Sequence, residues 1–253
     1  MVQLEKNYTV HVYETGPDGR LNLFSLFDYL QDIASDHAVQ LGYGRDDLIR
    51  NNCFWVLSRI YAVIEELPFW NDSLNIVTWP KGTDRMFALR DYKIFDKEKR
   101  LIGAATSSWL IVDLESRKIQ RPDRQLLPVK ANEDLPDALP RNASKLQPAS
   151  PDGVITPPFR VKLSDLDINH HTNNVRYLKW VLDTYDLGFI MNNVPFSAEI
   201  NYLAESRLND EISIRTSEES DEERAFRHSI IRNPDNTELC RVKIGWKRKT
   251  IKS

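Results

Sequence analysis

From Leu23 onward, apolar side chains recur at helical spacing, at Leu23, Leu26, Phe27, Leu30, Ile33, Ala34 and Leu41, and Gly42 closes the run. The stretch before it, YTVHVYET, alternates as a half-buried strand does. After it come strand-like runs, FWVLSRIYAVIEE, SLNIVTWP, RMFALRDYKIFD and IGAATSSWLIVD, the last two joined by the turn-like DKEKR. The same order then returns. PPFRVKL reads as a strand, and Val175, Leu178, Val181, Leu182 and Tyr185 mark a helix followed by Gly188. AEINYLAE, DEISIRT, AFRHSIIRN and ELCRVKIGWKR complete the second set of strands.

Between the two sets, eight of the thirteen prolines fall between Arg121 and Arg160. Proline lacks a backbone N–H and fixes its own φ, so a segment this rich in it cannot build the interior of a helix or sheet. The expected organisation is therefore an N-terminal repeat over 1–127, a proline-rich linker over 128–154 and a C-terminal repeat over 155–253. A helix followed by antiparallel strands, twice over, predicts an α+β chain built as a double (tandem) hotdog, each repeat a long helix wrapped by an antiparallel sheet.

Sparse identities support a duplication. A shift of 138 lays Asn71 and Asp72 on Asn209 and Asp210, and Leu74 on Ile212. Shifts of 148, 139 and 137 lay Tyr29-Leu30 on Tyr177-Leu178, Arg85 and Phe87 on Arg224 and Phe226, and Trp109 on Trp246. The changing offsets reflect loop lengths.

Composition narrows the function. With 253 residues, 41% of them apolar, the chain can bury two cores. Lys and Arg number 34 against 37 Asp and Glu, which argues against a general nucleic-acid binder, because phosphate neutralisation needs a basic excess. Cys53 and Cys240 form no CxxC pattern and are expected to be free thiols. No basic stretch followed by an apolar run opens the sequence, and no apolar stretch approaches the ~20 residues of a membrane span, so a cytoplasmic protein is expected.

One stretch carries more polar chemistry than a loop needs: DLDINHHTNNVRYLKW, residues 165–180. At a shift of 148, Asp167, Asn169 and His171 face Gly19, Leu21 and Leu23 of the first repeat, and at 138 Glu205 faces Leu67. The fold by itself thus has no need of these four polar side chains. Thr172 and Asn173 are also natural helix caps. His11, His37 and His228 are expected to be structural, and His170 is left outside the site. No second ligand cluster accompanies the paired histidines, so no metal is expected. GYGRDD lacks the third glycine of a dinucleotide loop, and neither GxSxG nor HExxH occurs.

DINHHTNNVRYLKWVLD resembles the DxNxHxNNxxYxxW segment of plant and bacterial acyl-acyl carrier protein thioesterases, and INYLAES resembles the strand that follows it in them. The likeness extends through YETGPDGRLNLFSLFDYLQD, NNCFWVLSRIYAVIEELPFWNDSLNIVTWP and AATSSWLIVDLESRKIQRP. It implies a cofactor-independent hydrolase with the double hotdog fold, acting on an acyl-phosphopantetheine thioester held by an acyl carrier protein. It implies catalytic roles for Asp167, Asn169, His171 and Glu205, with Asn173, Asn174, Val175 and Ser206 against the substrate. Ser206 stands where plant members commonly have cysteine, so a thiol nucleophile is not expected and water activation is. The plastid-targeting extension of plant members is not matched, which favours a bacterial-type enzyme. Expected partners are the carrier protein and, as an open alternative, a second copy in a homodimer. Neither nucleic acid nor a membrane span is expected.

Such chemistry needs a base for the water and donors facing the carbonyl oxygen. Glu205 and His171 are the proton-handling candidates, Asn169 offers donor and acceptor without titrating, and Asp167 can orient its neighbours. Unpaired N–H groups near Asn173 to Val175 are expected to meet the oxyanion. The N-terminal repeat is expected to hold the acyl pocket, with Leu21, Leu23 and Leu67 favouring methylene burial. Between Arg224 and Ser253 nine Lys and Arg face two acids, which makes the end of the chain, with Lys247 and Arg248, the expected carrier-docking face. Alternative readings are an acyl-CoA thioesterase, a hotdog dehydratase or hydratase, and a non-catalytic acyl-thioester-binding protein.

Overall fold

The computed structural model describes residues 3–122, 135–219 and 224–249. The chain divides into two compact units, residues 1–143 and 144–253.

Unit 1 begins with β1 (Leu4–Thr9), which gives way to a 3₁₀ turn at Val12–Glu14 instead of running on to Thr15 as the alternation predicts. Helix α1 (Leu23–Gln40) follows, then the short α2 (Arg45–Arg50), β2 (Cys53–Ile64), β3 (Ser73–Asp84), β4 (Phe87–Asp96), β5 (Leu101–Asp113) and β6 (Ile119–Gln120). The strands lie in the order β1-β3-β4-β5-β2, every pairing antiparallel, with β6 on β5. Helix α1 packs on β1 and β3 through the face predicted from its spacing, with Leu26, Phe27, Leu30, Ile33 and Ala34 buried. Its layer also encloses a polar group: Arg90 lies 3.0 Å from His37 Nδ1 and donates to Thr78 Oγ1 at 3.2 Å.

Unit 2 contains β7 (Val154–Ile155), β8 (Phe159–Arg160), a 3₁₀ turn at Leu163–Asp165, α3 (Asn174–Leu182), α4 (Leu187–Asn192), β9 (Asn193–Tyr202), β10 (Glu211–Glu219), β11 (Arg224–Arg232) and β12 (Thr237–Arg248). The order is β9-β12-β11-β10, again antiparallel, with β7 and β8 on β10. The second helix is half the length of the first. It ends at Asp183, and Asp186 caps a new helix by accepting from Phe189 N at 2.7 Å, so Gly188 lies inside α4 and terminates nothing. Both units are hotdog folds, a helix lying along an antiparallel sheet.

Of the predicted linker, residues 128–134 lie outside the described residues. The rest runs extended and fastened. In unit 1, Ala138 N donates to the buried Asp91 at 2.8 Å, and Lys81 reaches Asp137 at 3.0 Å and Asn142 at 2.9 Å. In unit 2, Ser144 N donates to Glu199 at 2.5 Å, Leu146 N to Asn201 Oδ1 at 2.8 Å and Ala149 N to Ser229 Oγ at 2.9 Å. Asn201 Nδ2 returns a bond to Ser144 O, and Arg241 donates to Leu146 O. Glu199, Asn201, Ser229 and Arg241 alternate along their strands with Ile200, Tyr202, Ile230 and Val242. Tyr202 meets α3 through Tyr177, so the segment crosses the sheet face turned away from that helix. Prolines at 140, 148 and 151 keep it from adding as a strand, and side chains from the sheet supply the bonds a neighbouring strand would make.

The duplication reaches the level of individual backbone bonds. Leu21 N donates to Pro68 O at 2.8 Å as Thr172 N does to Ser206 O at 3.0 Å. Asn22 N to Glu14 O repeats as Asn173 N to Asp165 O, and Gly16 N to Arg20 O as Asp167 N to His171 O. Val10 N to Asp72 O repeats as Val161 N to Asp210 O. Before the helices these pairs are related by a shift of 151, three more than the sequence identities suggest; near the later loop the shift of 138 holds.

Candidate active site

The loop before α3 is shaped by its own residues. Asp167 Oδ1 accepts from Asn169 N at 2.8 Å and from His171 N at 3.3 Å, while Asp167 N donates to His171 O at 2.8 Å. A five-residue turn closed on one carboxylate presents the side chains of residues 169 to 171 outward. His170 completes it at φ 62, a left-handed conformation that Gly19 holds at φ 76 in the first unit. Asn173 then caps the helix, its side chain accepting from Val175 N at 2.9 Å.

The second half of the site comes from the segment that follows β9. Thr172 N to Ser206 O ties that segment to the loop, and the residues preceding each meet: His171 Nε2 lies 3.4 Å from Glu205 Oε2. Both side chains are partly exposed. Ser206 is fully buried, its hydroxyl donating to Thr172 Oγ1 at 2.7 Å and lying 2.9 Å from the Tyr177 hydroxyl.

The structure thus brings Asp167, Asn169, His171 and Glu205 into two adjoining segments, with Asn169 exposed on the same turn as His171. Val175 corrects the expectation of open donors across the first helical turn. Its N–H is taken by Asn173, and those of Asn173 and Arg176 go to Asp165 O and Asn173 O. Among these first-turn groups the N–H of Asn174 is the one that no described residue accepts from.

The contrast between the repeats also changes. At the shift of 151, Asp167, Asn169 and His171 correspond to Gly16, Asp18 and Arg20, not to Gly19, Leu21 and Leu23. The first copy is not apolar there. Arg20 is tied down by Leu67 O at 3.2 Å and Asp18 at 3.7 Å, and lies 4.2 Å from the Phe69 ring centre. No histidine–carboxylate pair stands at these positions of unit 1.

Other polar residues sort by their surroundings. His228 is buried, with Tyr185 Oη at 2.9 Å from Nε2 and Thr216 Oγ1 at 2.9 Å from Nδ1, and burial pushes its pKa down to about 3. Cys53 and Cys240 are buried free thiols, and burial raises both pKa values. Lys247 and Arg248 pair with Val194 and Asn193, whereas Cys240 pairs with Tyr202 near Glu205. The expected docking pair therefore sits at the far end of β12, roughly 20–25 Å from the site at ~3.3 Å per residue. Arg176 and Arg207 flank the site much more closely in the chain, and neither guanidinium has a carboxylate partner among the described residues. Among the described residues, no three His, Cys, Asp or Glu side chains gather as a metal-ligand set, and no helix is long and apolar enough to cross a membrane.

Residues 2–127 match the family model of the acyl-ACP thioesterase N-terminal domain, and residues 150–248 match that of the C-terminal domain, ACP being acyl carrier protein. A chloroplastic palmitoyl-acyl carrier protein thioesterase of Gossypium hirsutum is 25% identical over 98% of the chain, and a chloroplastic oleoyl-acyl carrier protein thioesterase of Coriandrum sativum 27% identical over 87%. The chain spans 64% of the length of each of these relatives. The crystal structure of an acyl-ACP thioesterase from Bacteroides thetaiotaomicron matches with a TM-score of 0.85 and 27% identity, covering 97% of this chain and 98% of that one. The 12:0-ACP thioesterase from Umbellularia californica, 19% identical, shares the fold with a TM-score of 0.79, covering 98% and 95%.

Proposed function

We propose, from the premise that this chain belongs to the acyl-ACP thioesterase family, that it hydrolyses acyl-acyl carrier protein thioesters to a free fatty acid and the carrier thiol. The observation that carries the reading is the approach of His171 Nε2 to Glu205 Oε2 in unit 2, beside the exposed Asn169. Glu205 takes a proton from water as its oxygen attacks the thioester carbonyl, and His171 holds the carboxylate and passes the proton on. Asn169 and the N–H of Asn174 face the carbonyl oxygen as charge builds. The C–S bond then breaks, and the leaving thiolate collects the proton. Asp167 acts earlier, by closing the turn that carries Asn169 and His171.

We assign the chemistry to the C-terminal repeat, because the equivalent positions in the other hold Gly16, Asp18, a tethered Arg20 and Leu67. The N-terminal repeat is left for the acyl chain, between α1 and its sheet. Exchanging Leu30 or Ile33 for smaller residues should then change chain-length preference more than the rate on short acyl groups.

Thiol release measured with an acyl-acyl carrier protein and with its coenzyme A analogue tests the whole reading. Release faster with the carrier substrate supports it. Equal or faster release from coenzyme A makes the protein a general acyl-CoA thioesterase. An enoyl or hydroxyacyl product with the thioester intact makes it a dehydratase or hydratase, and no product at all leaves a binding protein.

A further inference from the structure

We propose that Thr172, Ser206 and Tyr177 form a buried joint that sets the approach of His171 to Glu205; this rests on that pair being the reactive one. Thr172 directly follows His171 and Ser206 directly follows Glu205, so whatever fixes one pair of neighbours fixes the other. Ser206 N donates to the Tyr177 hydroxyl at 3.0 Å. The Tyr177 hydroxyl and Ser206 Oγ are 2.9 Å apart, and Ser206 Oγ donates to Thr172 Oγ1 at 2.7 Å. With the Ser206 proton committed to Thr172, the Tyr177 O–H donates to Ser206 Oγ. Burial pushes the Tyr177 pKa up to about 12, so the phenol remains a donor throughout the neutral range.

The other repeat shows that the fold does without this network. The main-chain bond is present there as Leu21 N to Pro68 O, at 2.8 Å. The residues equivalent to Thr172, Ser206 and Tyr177 are Leu21, Pro68 and Leu26, none of which carries a hydroxyl. Unit 1 fastens the loop to the sheet end by other ties, a second main-chain bond from Trp70 N to Gly19 O at 2.9 Å and the Arg20 guanidinium on Leu67 O at 3.2 Å. In unit 2 the bond from Thr172 N to Ser206 O, taken alone, would leave the two segments free to pivot about it. Two further bonds between side chains remove the pivot, and they occur in the repeat where a histidine and a carboxylate must meet. Burying three hydroxyls is tolerable only because each satisfies another. Ser206, with no exposed surface and a hydroxyl bonded on both sides, is a positioning residue and not a nucleophile.

The test is a mutant cycle on the intact protein with the acyl-acyl carrier protein substrate. Thr172→Val keeps the shape and removes the hydroxyl. It should lower kcat about 10–100-fold, as small displacements of reacting groups do, and leave KM unchanged. Thr172→Ser restores the hydroxyl and should restore kcat. Tyr177→Phe should match Thr172→Val, which covers a variant that fails to fold, as circular dichroism would reveal. Combined with Glu205→Gln, Thr172→Val should add almost no further loss, because a displaced pair has little left to lose. Fully multiplicative losses, an unaltered kcat in Thr172→Val and Tyr177→Phe, or an acyl group found on Ser206 by rapid-quench mass spectrometry would overturn the joint. Glu205→Gln at full rate would instead overturn the reading of the pair itself, which separates the two failures.

Discussion

His171 and Glu205, contributed by the loop before α3 and by the segment after β9, meet at 3.4 Å between Nε2 and Oε2. If the pair activates water, removing either member removes general-base assistance. Glu205→Gln and His171→Ala should each lower kcat ~10²–10⁴-fold. That span corresponds to about 3–5 kcal/mol of barrier. The double variant should fall little below the worse single one, and steady-state thiol release checks both statements.

His170, adjacent to the pair, should be dispensable. It occupies φ 62, where an L-residue is strained by roughly 1–2 kcal/mol and glycine is not. His170→Gly should keep kcat within about two-fold and move stability by less than ~1 kcal/mol, since glycine's greater freedom in the unfolded chain offsets the relieved strain. A ten-fold loss of kcat would give His170 a role in the reaction.

Acid should weaken unit 2 through His228. The Trp246 indole donates to the Tyr185 hydroxyl at 3.1 Å, the ring nitrogens lie 2.9 Å from the Tyr185 and Thr216 hydroxyls, and burial disfavours the charged ring. Its folded pKa of about 3 lies below the ordinary value of 6.5. Between those values the unfolded chain binds a proton that the folded one refuses, so stability rises with pH across the window and is lost as pH falls through it. The full difference is on the order of 5 kcal/mol, reached only near the lower end. Urea midpoints from pH 7 to pH 4 should fall for the native chain and fall less steeply for His228→Gln.

Carrier recognition should depend on charge beside the site. Carrier proteins are acidic as a class, and Arg207, next to Ser206, is exposed. Arg207→Glu should raise the KM for the carrier substrate at low salt, spare small thioesters and lose its effect as salt is added. Reversing Lys247 and Arg248, at the other end of β12, should do less. The opposite ranking would move docking to that end.

The extended segment over 144–150 should contribute measurably to stability. Asn201 bonds both Leu146 N and Ser144 O while almost fully buried. Asn201→Leu should cost about 1–3 kcal/mol, because two main-chain groups lose their partner away from water. Denaturant midpoints would show the loss, and an unchanged midpoint would mean that water replaces the side chain.

The strands and the first helix were legible because their apolar periods differ, two against about three and a half, and the polar cluster was legible because it broke those periods. The register between repeats was not. Sliding a helix by three residues nearly completes a turn and keeps its apolar face in place, so Tyr29-Leu30 and Tyr177-Leu178 match at 148 although the backbone bonds match at 151. Only main-chain hydrogen bonds distinguish the two, and these leave no mark on hydrophobicity. The fastening of the proline-rich segment was hidden in a similar way. Its prolines do forbid a strand, but the buried Glu199 and Asn201 that fasten it read in sequence as two ordinary polar positions of β9. Ser206 was visible as a departure from cysteine, while its burial beneath Tyr177 was not.

That fastened segment also bears on how unit 2 is made. Its bonds to Glu199, Ser229 and Arg241 join residues 55, 80 and 95 positions apart. The ties to Ser229 and Arg241 need β11 and β12 beside β9, and a single strand offers few side chains against the entropy of closing so long a loop. Once the sheet exists, the ties become available together and the segment adds in a single late step. Residues early in the unit should thus become native late, since synthesis from the N-terminus leaves them waiting for strands that have not yet emerged from the ribosome.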